Sequence, residues 1–336
     1  MKIGILGAGT WGIALATLLS SNGHDVTVWS ALPEEIDELS KNGAHKNLPQ
    51  IKLPRSLKYT KDITCLAEGK ELILIVVPSS FMRSTIHLLA PYIENGSILV
   101  TASKGIERNT LMTMTEVIED ELSILRPELK YSLAALSGPT HAEEVAIGMP
   151  TSIVSACENE IISSKIAQIF ANSNMRVYTN NDVRGVEICG AMKNIIALAA
   201  GINNGMGFGD NSKAMLMTRG IAEITRLGLA MGCERRTFNG LAGIGDLIVT
   251  CTSRHSRNNR CGELIGQGKS YDEASREIGM VVEGYHALEA AMELSKKHSV
   301  ELPITEAVYK IIKQGLSPKE AMRTLMTRDL KSELAD

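Results

Sequence analysis

The sequence predicts an α/β amino-terminal domain over residues 1–180 and an all-α carboxy-terminal domain over residues 181–336. Short apolar runs alternate with amphipathic stretches as far as Asn180, a pattern typical of a parallel sheet covered by helices. From Asp182 onward the apolar residues follow helical spacing almost continuously. The length of 336 residues also exceeds the range in which one hydrophobic core usually keeps growing. These observations place the domain boundary near residue 180.

Seven apolar runs are the candidate strands of the first domain. The run ELILIVV is apolar on both faces, which is typical of a buried central strand in a parallel sheet. The seven runs are KIGILG (2–7), DVTVWS (25–30), ELILIVV (71–77), SILVTAS (97–103), YSLAALSG (131–138), TSIVSA (151–156) and MRVYT (175–179).

Helical segments lie between these strands and fill the second domain. A helix over 13–22 follows the first strand, and Pro33 fits the first turn of the next helix. Asn109 fits the N-cap of a helix that begins with LMTMTEVIEDEL. In the second domain, the periodic stretches cover residues 212–232, 286–298 and 305–315, and Gly315 and Pro318 separate the last two helices.

Composition and charge exclude several function classes. A net charge of −3 disfavours a nucleic-acid partner or a general affinity for anionic membranes. No secretory signal precedes the first strand, and no apolar run reaches the roughly 18 residues of a membrane span, so we expect no stable membrane insertion. The six cysteines show no C-x-x-C spacing, which predicts neither a metal site nor a redox dithiol. Reduced thiols in a cytoplasmic protein fit this pattern.

Residues 7–12 read GAGTWG and match the G-x-G-x-x-G fingerprint of dinucleotide-binding folds. Gly7 permits the tight turn, Gly9 lets the backbone approach a pyrophosphate, and Gly12 permits close helix packing. The helix that follows would supply amide donors to the phosphates. The alternative is a tight βα turn without a ligand. The position between a first strand and a helix favours a Rossmann-like dinucleotide-binding domain that takes NADP or NAD.

The corner after the second strand does not settle the coenzyme. The fingerprint usually includes an acid there, which binds the ribose 2′-OH of NAD. Trp29, Ser30 and Ala31 occupy that place, without a carboxylate and without an arginine beside them. The choice between NAD and NADP therefore stays open. NADPH is favoured slightly, because no carboxylate at these positions would repel its 2′-phosphate.

Two segments follow strands and should reach the carboxyl edge of the sheet, where ligands bind in open α/β folds. Lys104 follows the run 97–103, and the turn Gly138-Pro139-Thr140 follows the run 131–138. The turn would expose backbone amides over the same edge. Taken alone, Lys104 fits an ordinary surface lysine equally well.

The segment GAMKNIIALAAG (190–201) is small and apolar except for Lys193 and Asn194 at its centre. A buried ammonium group needs a partner charge, hydrogen bonds or deprotonation. The alternative is a lysine that extends its head to water. Asp246 and Thr250 lie four residues apart in a later apolar run, so they share one face of a helix there. Asp246 is the complement that an isolated lysine needs.

The segment SRHSRN (253–258) combines guanidinium, hydroxyl and amide groups near a predicted helix start. Ser256, Arg257 and Asn258 are the parts of a site for one small phosphate. The alternative is a solvated basic loop. Because the net charge disfavours nucleic acid, a phosphorylated metabolite is the better functional interpretation.

Taken together, these residues resemble the NAD(P)-dependent sn-glycerol-3-phosphate dehydrogenases of bacterial type, in order and over essentially the whole chain. The motifs are GAGTWG (7–12), VVPS (76–79), SKG (103–105), SGPTHAEEV (137–145), GAMKNIIALAAG (190–201), GFGDNSKA (207–214), TRGIAE (218–223), LAGIGDLIVTCTSRHSRN (241–258), VVEG (281–284) and PITE (303–306). Such enzymes interconvert dihydroxyacetone phosphate and sn-glycerol 3-phosphate, chiefly making the latter for phospholipid synthesis. The resemblance implies a homodimer, and the reaction requires no metal.

The resemblance also implies the roles of individual residues. Lys193 would be the catalytic proton donor and acceptor. The implied substrate site comprises Lys104, Gly138, Thr140, Lys193, Asn194, Asp246, Thr250, Ser256, Arg257 and Asn258. The fingerprint and the resemblance together give the cofactor contacts Gly7, Gly9, Thr10, Trp11, Gly12, Lys104, Ala142, Arg257, Val281 and Glu283.

Two alternatives to this function remain at the level of the sequence. A ketopantoate reductase or another hydroxyacid dehydrogenase would also use a lysine and an asparagine of a helical domain, but its substrate carries a carboxylate and no phosphate. A dinucleotide sensor would bind NADPH without turnover and would not need Lys193 with Asp246.

Overall fold

The computed structural model describes residues 1–330, 332 and 333. One compact unit comprises Met1–Lys104 and Met112–Val183, and the other comprises Gly105–Leu111 and the described chain from Arg184 onward. The segment Gly105–Leu111 thus packs with the second unit, although it lies inside the predicted first domain. The predicted domains 1–180 and 181–336 stay a prediction, because compact packing does not by itself show which segments fold independently.

Among the described residues, the first unit contains an eight-stranded sheet in the order β3-β2-β1-β4-β5-β6-β7-β8. The strands are β1 (Lys2–Leu6), β2 (Asp25–Trp29), β3 (Lys58–Thr60), β4 (Leu72–Ile75), β5 (Ile98–Thr101), β6 (Ser132–Ser137), β7 (Thr151–Ala156) and β8 (Met175–Asn180). Helices cover this sheet and the second unit is helical, so the predicted fold class is confirmed. β3 was not among the predicted strands, because its three residues are too few to form an apolar run.

The strands bury both faces of the sheet, because successive side chains point to opposite sides. Leu72 and Leu74 of β4 belong to one apolar core, whereas Ile73 and Ile75 belong to another. A fully apolar β4 is therefore required between these two cores, as its sequence predicts.

The sheet departs from the predicted parallel pattern at one pair of strands. β6 and β7 run antiparallel, whereas the other paired strands run parallel. The connection between them, residues 138–150, holds only a five-residue helix, which packs against the first helix of the unit. So short a helix does not carry the chain back across a face of the sheet, as a parallel connection requires.

Two helix starts of the first unit differ from the predicted ones. The first helix begins at Thr10, inside the glycine fingerprint, three residues before the predicted start at 13. Asn109 is not the N-cap of the helix that begins at Met114. Thr113 takes that position, and Glu116 accepts a hydrogen bond from its backbone N–H at 2.8 Å. The helices are α1 (Thr10–Ser21), α2 (Pro33–Asn42), α3 (Ile63–Ala67), α4 (Met82–Leu89), α5 (Met114–Leu125), α6 (Ala142–Ala146) and α7 (Glu160–Phe170).

The second unit packs its helices around one long central helix. They are α8 (Val183–Gly205), α9 (Asp210–Ala230), α10 (Arg235–Phe238), α11 (Asp246–Thr252), α12 (Arg257–Gly266), α13 (Tyr271–Ile278), α14 (Glu283–His298), α15 (Pro303–Gln314) and α16 (Pro318–Met326). The predicted separation of the last two helices is confirmed, since Gly315 ends α15 at φ 71° and Pro318 opens α16.

The central helix α8 is long and apolar enough to cross a membrane by length and composition. The expectation that no apolar run reaches the length of a membrane span is therefore wrong for this helix. The most apolar stretch of α8 is buried inside the protein, as the core helix of a soluble protein would be. Its burial places both polar residues in the interior of the second unit.

Candidate active site

The turn between β1 and α1 has the geometry of a phosphate-binding loop. Gly7 has φ 112°, and a Cβ there would lie 2.4 Å from the Val76 carbonyl oxygen. A Cβ on Gly12 would lie 2.0 Å from the Gly7 carbonyl oxygen, so both positions require glycine. A Cβ on Gly9 would meet nothing within 4 Å, so the space beside its backbone is open. Because the first amides of a helix have no acceptor within the helix, this turn at the start of α1 fits a dinucleotide pyrophosphate.

The surroundings of the turn also fit a dinucleotide. β1 lies between β2 and β4, where the strand order reverses, and ligands of open α/β sheets bind at such a point. Asn47 Nδ2 donates to Thr10 Oγ1 at 3.0 Å. Trp11 is half-buried, and Ala142 opens α6, which packs against α1. The sequence interpretation missed Asn47, because nothing in its local pattern shows that the loop reaches Thr10.

Lys104 and the turn after β6 lie together in the first unit. Lys104 Nζ donates to the Gly138 carbonyl oxygen at 3.3 Å, and Thr140 Oγ1 donates to the same oxygen at 3.2 Å. The two segments follow β5 and β6, which are parallel neighbours, so they meet at the carboxyl edge of the sheet. The structure therefore brings together the three site residues predicted at this edge.

Lys193 of α8 is held by two side chains of α11. Its Nζ donates to Asp246 Oδ1 at 2.5 Å and to Thr250 Oγ1 at 2.7 Å. Lys193 is 6% exposed, Asp246 1% and Thr250 4%, so the ammonium group does not extend into bulk water. The alternative of a lysine that reaches the solvent is wrong.

The start of α11 sets the position of Asp246. A π-helical turn, Leu241–Gly245, leads directly into α11, and such turns often occur at functional sites. One helical turn later, Thr250 Oγ1 donates to the Asp246 carbonyl oxygen at 2.6 Å. This bond uses the hydroxyl proton, so the Thr250 oxygen accepts from Lys193. Burial raises the pKa of the next residue, Cys251, to about 12, which keeps it a neutral thiol.

Asn194 belongs to a chain of hydrogen bonds across three helices. Asn258 Nδ2 of α12 donates to Asn194 Oδ1 at 3.0 Å. The Gly284 backbone N–H of α14 donates to Asn258 Oδ1 at 2.9 Å. Both amides are buried, so these bonds fix the spacing of α8, α12 and α14 beside Lys193.

Glycines bring α8 and α12 into direct backbone contact. A Cβ on Gly201 would lie 2.0 Å from the Asn259 carbonyl oxygen, and a Cβ on Gly262 would lie 2.2 Å from the Leu198 carbonyl oxygen. Neither position admits a side chain without moving one helix. The small residues after Lys193 therefore fix the distance between α8 and the start of α12.

Ser256 and Arg257 form the start of α12. Ser256 is the N-cap, and its Oγ accepts from the Asn259 backbone N–H at 3.2 Å. Arg257 Nη1 donates to the Val281 carbonyl oxygen at 3.0 Å, close to Glu283, the first residue of α14. A capped helix start beside an oriented guanidinium group fits an anion.

The predicted site residues form one group in each unit. The glycine turn, Lys104, Gly138, Thr140 and Ala142 belong to the first unit, and the remaining predicted residues belong to the second. Among the described residues, no His, Cys, Asp and Glu side chains cluster as metal ligands. None of the six cysteines forms a disulfide bond.

Comparison with known proteins gives the same family for both units. Residues 2–163 match the family described as NAD-dependent glycerol-3-phosphate dehydrogenase N-terminus. Residues 182–323 match the corresponding C-terminus family.

Individual relatives match over nearly their whole length. A glycerol-3-phosphate dehydrogenase (NAD(P)+) 2 of Lactobacillus delbrueckii subsp. bulgaricus is 55% identical over 333 residues, which is 99% of each chain. The crystal structure of glycerol-3-phosphate dehydrogenase from Coxiella burnetii has 37% identity and a TM-score of 0.92, over 97% of this chain and 99% of that chain. A ketopantoate reductase from Ralstonia eutropha, at 16% identity and a TM-score of 0.63 over 96% of this chain and 100% of that chain, shares the fold alone.

Proposed function

The chain belongs to the NAD-dependent glycerol-3-phosphate dehydrogenase family, and we propose that it reduces dihydroxyacetone phosphate to sn-glycerol 3-phosphate, reversibly, with Lys193 as the general acid. The observation that carries this mechanism is the buried group of Lys193, Asp246 and Thr250. A buried ammonium group that is held by a carboxylate and a hydroxyl has a fixed direction and a proton to donate.

Reduction of the carbonyl group needs a proton donor and fixed positive charge. When bound, the reduced nicotinamide supplies the hydride. Negative charge then grows on the carbonyl oxygen of the substrate, and the Lys193 ammonium group stabilises this charge and transfers a proton to the oxygen. In the reverse direction the neutral amine accepts the hydroxyl proton. In the proton transfer Asp246 and Thr250 act through Lys193, which they position, and both also belong to the proposed substrate site.

The start of α12 is the proposed site for the substrate phosphate. Arg257 would donate hydrogen bonds to the phosphate from its guanidinium group, and the backbone N–H groups of the first turn, which carry partial positive charge, would donate further ones. Binding energy from the phosphate would then hold the carbonyl group in place for reaction. The full proposed substrate set is Lys104, Gly138, Thr140, Lys193, Asn194, Asp246, Thr250, Ser256, Arg257 and Asn258.

The coenzyme would bind over the glycine turn of the first unit. The positive φ of Gly7 and the open space beside Gly9 support this site. The proposed contacts are Gly7, Gly9, Thr10, Trp11, Gly12, Lys104, Ala142, Arg257, Val281 and Glu283. The names of the relatives allow both NAD and NADP.

The cellular role follows from the product. We propose that the enzyme works in the cytoplasm as a homodimer and supplies glycerol 3-phosphate for phospholipid synthesis, with no nucleic-acid partner and no stable membrane insertion. Six cysteines that form no disulfide bond support a reducing compartment, and the net charge of −3 gives no general affinity for polyanions.

The test is oxidation of NADPH and of NADH by the purified protein with dihydroxyacetone phosphate, dihydroxyacetone or ketopantoate as substrate. We expect rapid turnover with the phosphorylated ketone alone. Arg257→Leu should raise KM for this ketone at least about tenfold, because a charge-assisted hydrogen bond to phosphate is lost. Arg254→Leu is the matched control, since Arg254 is an exposed arginine of the same segment.

Two outcomes would contradict the proposal. Equal turnover of dihydroxyacetone would show that the protein does not depend on the phosphate of its substrate, contrary to the proposed phosphate site. Coenzyme binding without turnover of any substrate would favour a dinucleotide sensor.

A further inference from the structure

The corner after β2, where the sequence analysis finds no acid, holds the carboxylate of Glu35 through a hydrogen bond. Ser30 Oγ donates to Glu35 Oε2 at 2.7 Å. The Leu32 backbone N–H donates to Ser30 Oγ at 3.1 Å, which fixes the hydroxyl as a donor toward Glu35. Ser30 is buried and Glu35 is half-buried in the first turn of α2. The acid therefore comes from the next helix and not from the end of the strand.

This corner lies beside the glycine turn. The Gly7 backbone N–H donates to the Trp29 carbonyl oxygen at 2.8 Å, so the residue before Ser30 contacts the first glycine of the fingerprint. In dinucleotide-binding folds the adenosine ribose lies at the end of the second strand, about 20 residues after the fingerprint. The Glu35 carboxylate therefore lies near the expected position of the ribose 2′ substituent, which is a hydroxyl in NAD and a phosphate in NADP.

The neighbouring charges leave the corner acidic. Glu34 and Glu38 lie on the same helix as Glu35. In the loop after α2, buried His45 interacts electrostatically with Glu35 and Glu38 of this helix and with the adjacent Lys46. Burial lowers the pKa of His45, although Glu35 partly opposes that shift, so the imidazole is neutral at neutral pH. Lys61, which follows β3, pairs with Asp37 of the same helix at 2.6 Å.

We infer that Glu35 sets the coenzyme preference of this chain toward NADH. Its carboxylate, oriented by Ser30, accepts a hydrogen bond from the ribose 2′-OH and repels the 2′-phosphate of NADPH. A carboxylate has about four acceptor sites, so the bond from Ser30 leaves capacity for the ribose. This inference rests on the proposed function, because it requires the dinucleotide to bind over the glycine turn. It reverses the slight preference for NADPH that the residues of the corner had indicated.

The test measures binding directly. NADH and NADPH are titrated separately into the purified protein, and the fluorescence of Trp11 and Trp29, the two tryptophans of the chain, reports occupancy. We expect NADH to bind at least about tenfold more tightly, which corresponds to about 1.4 kcal/mol. Glu35→Gln should tighten NADPH at least about tenfold, because the like-charge repulsion is removed, and should weaken NADH slightly. High salt should narrow the difference in the unaltered protein through screening.

Glu34→Gln is the matched control, because it removes the same charge from the same helical turn at an exposed position. It should leave the ratio of the two affinities nearly unchanged. Tight NADPH binding by the unaltered protein, or a ratio that Glu35→Gln does not change, would overturn the inference while the proposed function stands. Failure of both coenzymes to bind would instead overturn the proposed function, and the inference with it.

Discussion

Replacing Lys193 with Met tests the catalytic role of the buried lysine. Met keeps an unbranched side chain of similar length and removes the ammonium group. The change leaves Asp246 almost fully buried, with Thr250 as its neighbour. The variant therefore loses the proposed proton donor and also acquires a buried carboxylate without the Lys193 ammonium group.

The two effects act on different quantities, the rate of turnover and the free energy of unfolding, and are therefore separable. A positioned general acid contributes about 10²–10⁴ in rate, which is roughly 3–5 kcal/mol of transition-state stabilisation. Removing one partner of a buried ion pair destabilises a protein by about 3–5 kcal/mol, a large share of a typical stability of about 5–15 kcal/mol. The double variant Lys193→Met/Asp246→Asn removes the buried charge, so it should recover stability and remain inactive.

The assay is the decrease in reduced-nicotinamide absorbance with saturating dihydroxyacetone phosphate. Thermal unfolding and coenzyme titration of each variant run beside it. We expect both variants to bind coenzyme as the unaltered protein does and to turn over at least about a hundredfold more slowly. A folded double variant that keeps more than about a tenth of the turnover would refute the role of Lys193 as general acid.

Three further predictions follow from single contacts. Burial raises the pKa of Glu223 to about 7, so its contribution to the free energy of unfolding is fully present below about pH 4.5 and is lost as pH rises through 7. By linkage this loss is about 3 kcal/mol. Denaturant unfolding across this pH range should show a steeper decline in stability for the unaltered protein than for Glu223→Gln. Gly9→Ala should leave Tm unchanged, because its Cβ meets nothing within 4 Å, but it should weaken coenzyme binding at least about tenfold. Gly12→Ala, by contrast, should lower Tm. Unchanged coenzyme binding by Gly9→Ala would contradict the proposed pyrophosphate position. Gly262→Ala places a Cβ 2.2 Å from the Leu198 carbonyl oxygen, so we expect about 1–3 kcal/mol lower stability and a raised KM for dihydroxyacetone phosphate. A variant with unaltered Tm and KM would show that the contact between α8 and α12 can adapt to the added methyl group.

Local patterns in the sequence determined the two kinds of fold. The all-apolar run of β4 and the glycine fingerprint are short-range features, and each is dictated by its own physical requirement: burial on both faces for the strand, and backbone clearance for Gly7 and Gly12. Helical spacing likewise predicted the second unit. The patterns failed where a neighbour decided the outcome, as at β3, whose three residues form a strand because they pair with β2.

Only the tertiary structure decided the partners of the polar residues. Lys193 and Asp246 are 53 residues apart in the chain, and packing of α8 against α11 joins them. The sequence identified Asp246 as a suitable complement but could not exclude a lysine that reaches water. At the corner after β2, the strand ends without an acid, and the first turn of α2 folds back to supply Glu35. Local spacing fixes which face a side chain occupies, whereas the packing of separate elements determines which charge it meets.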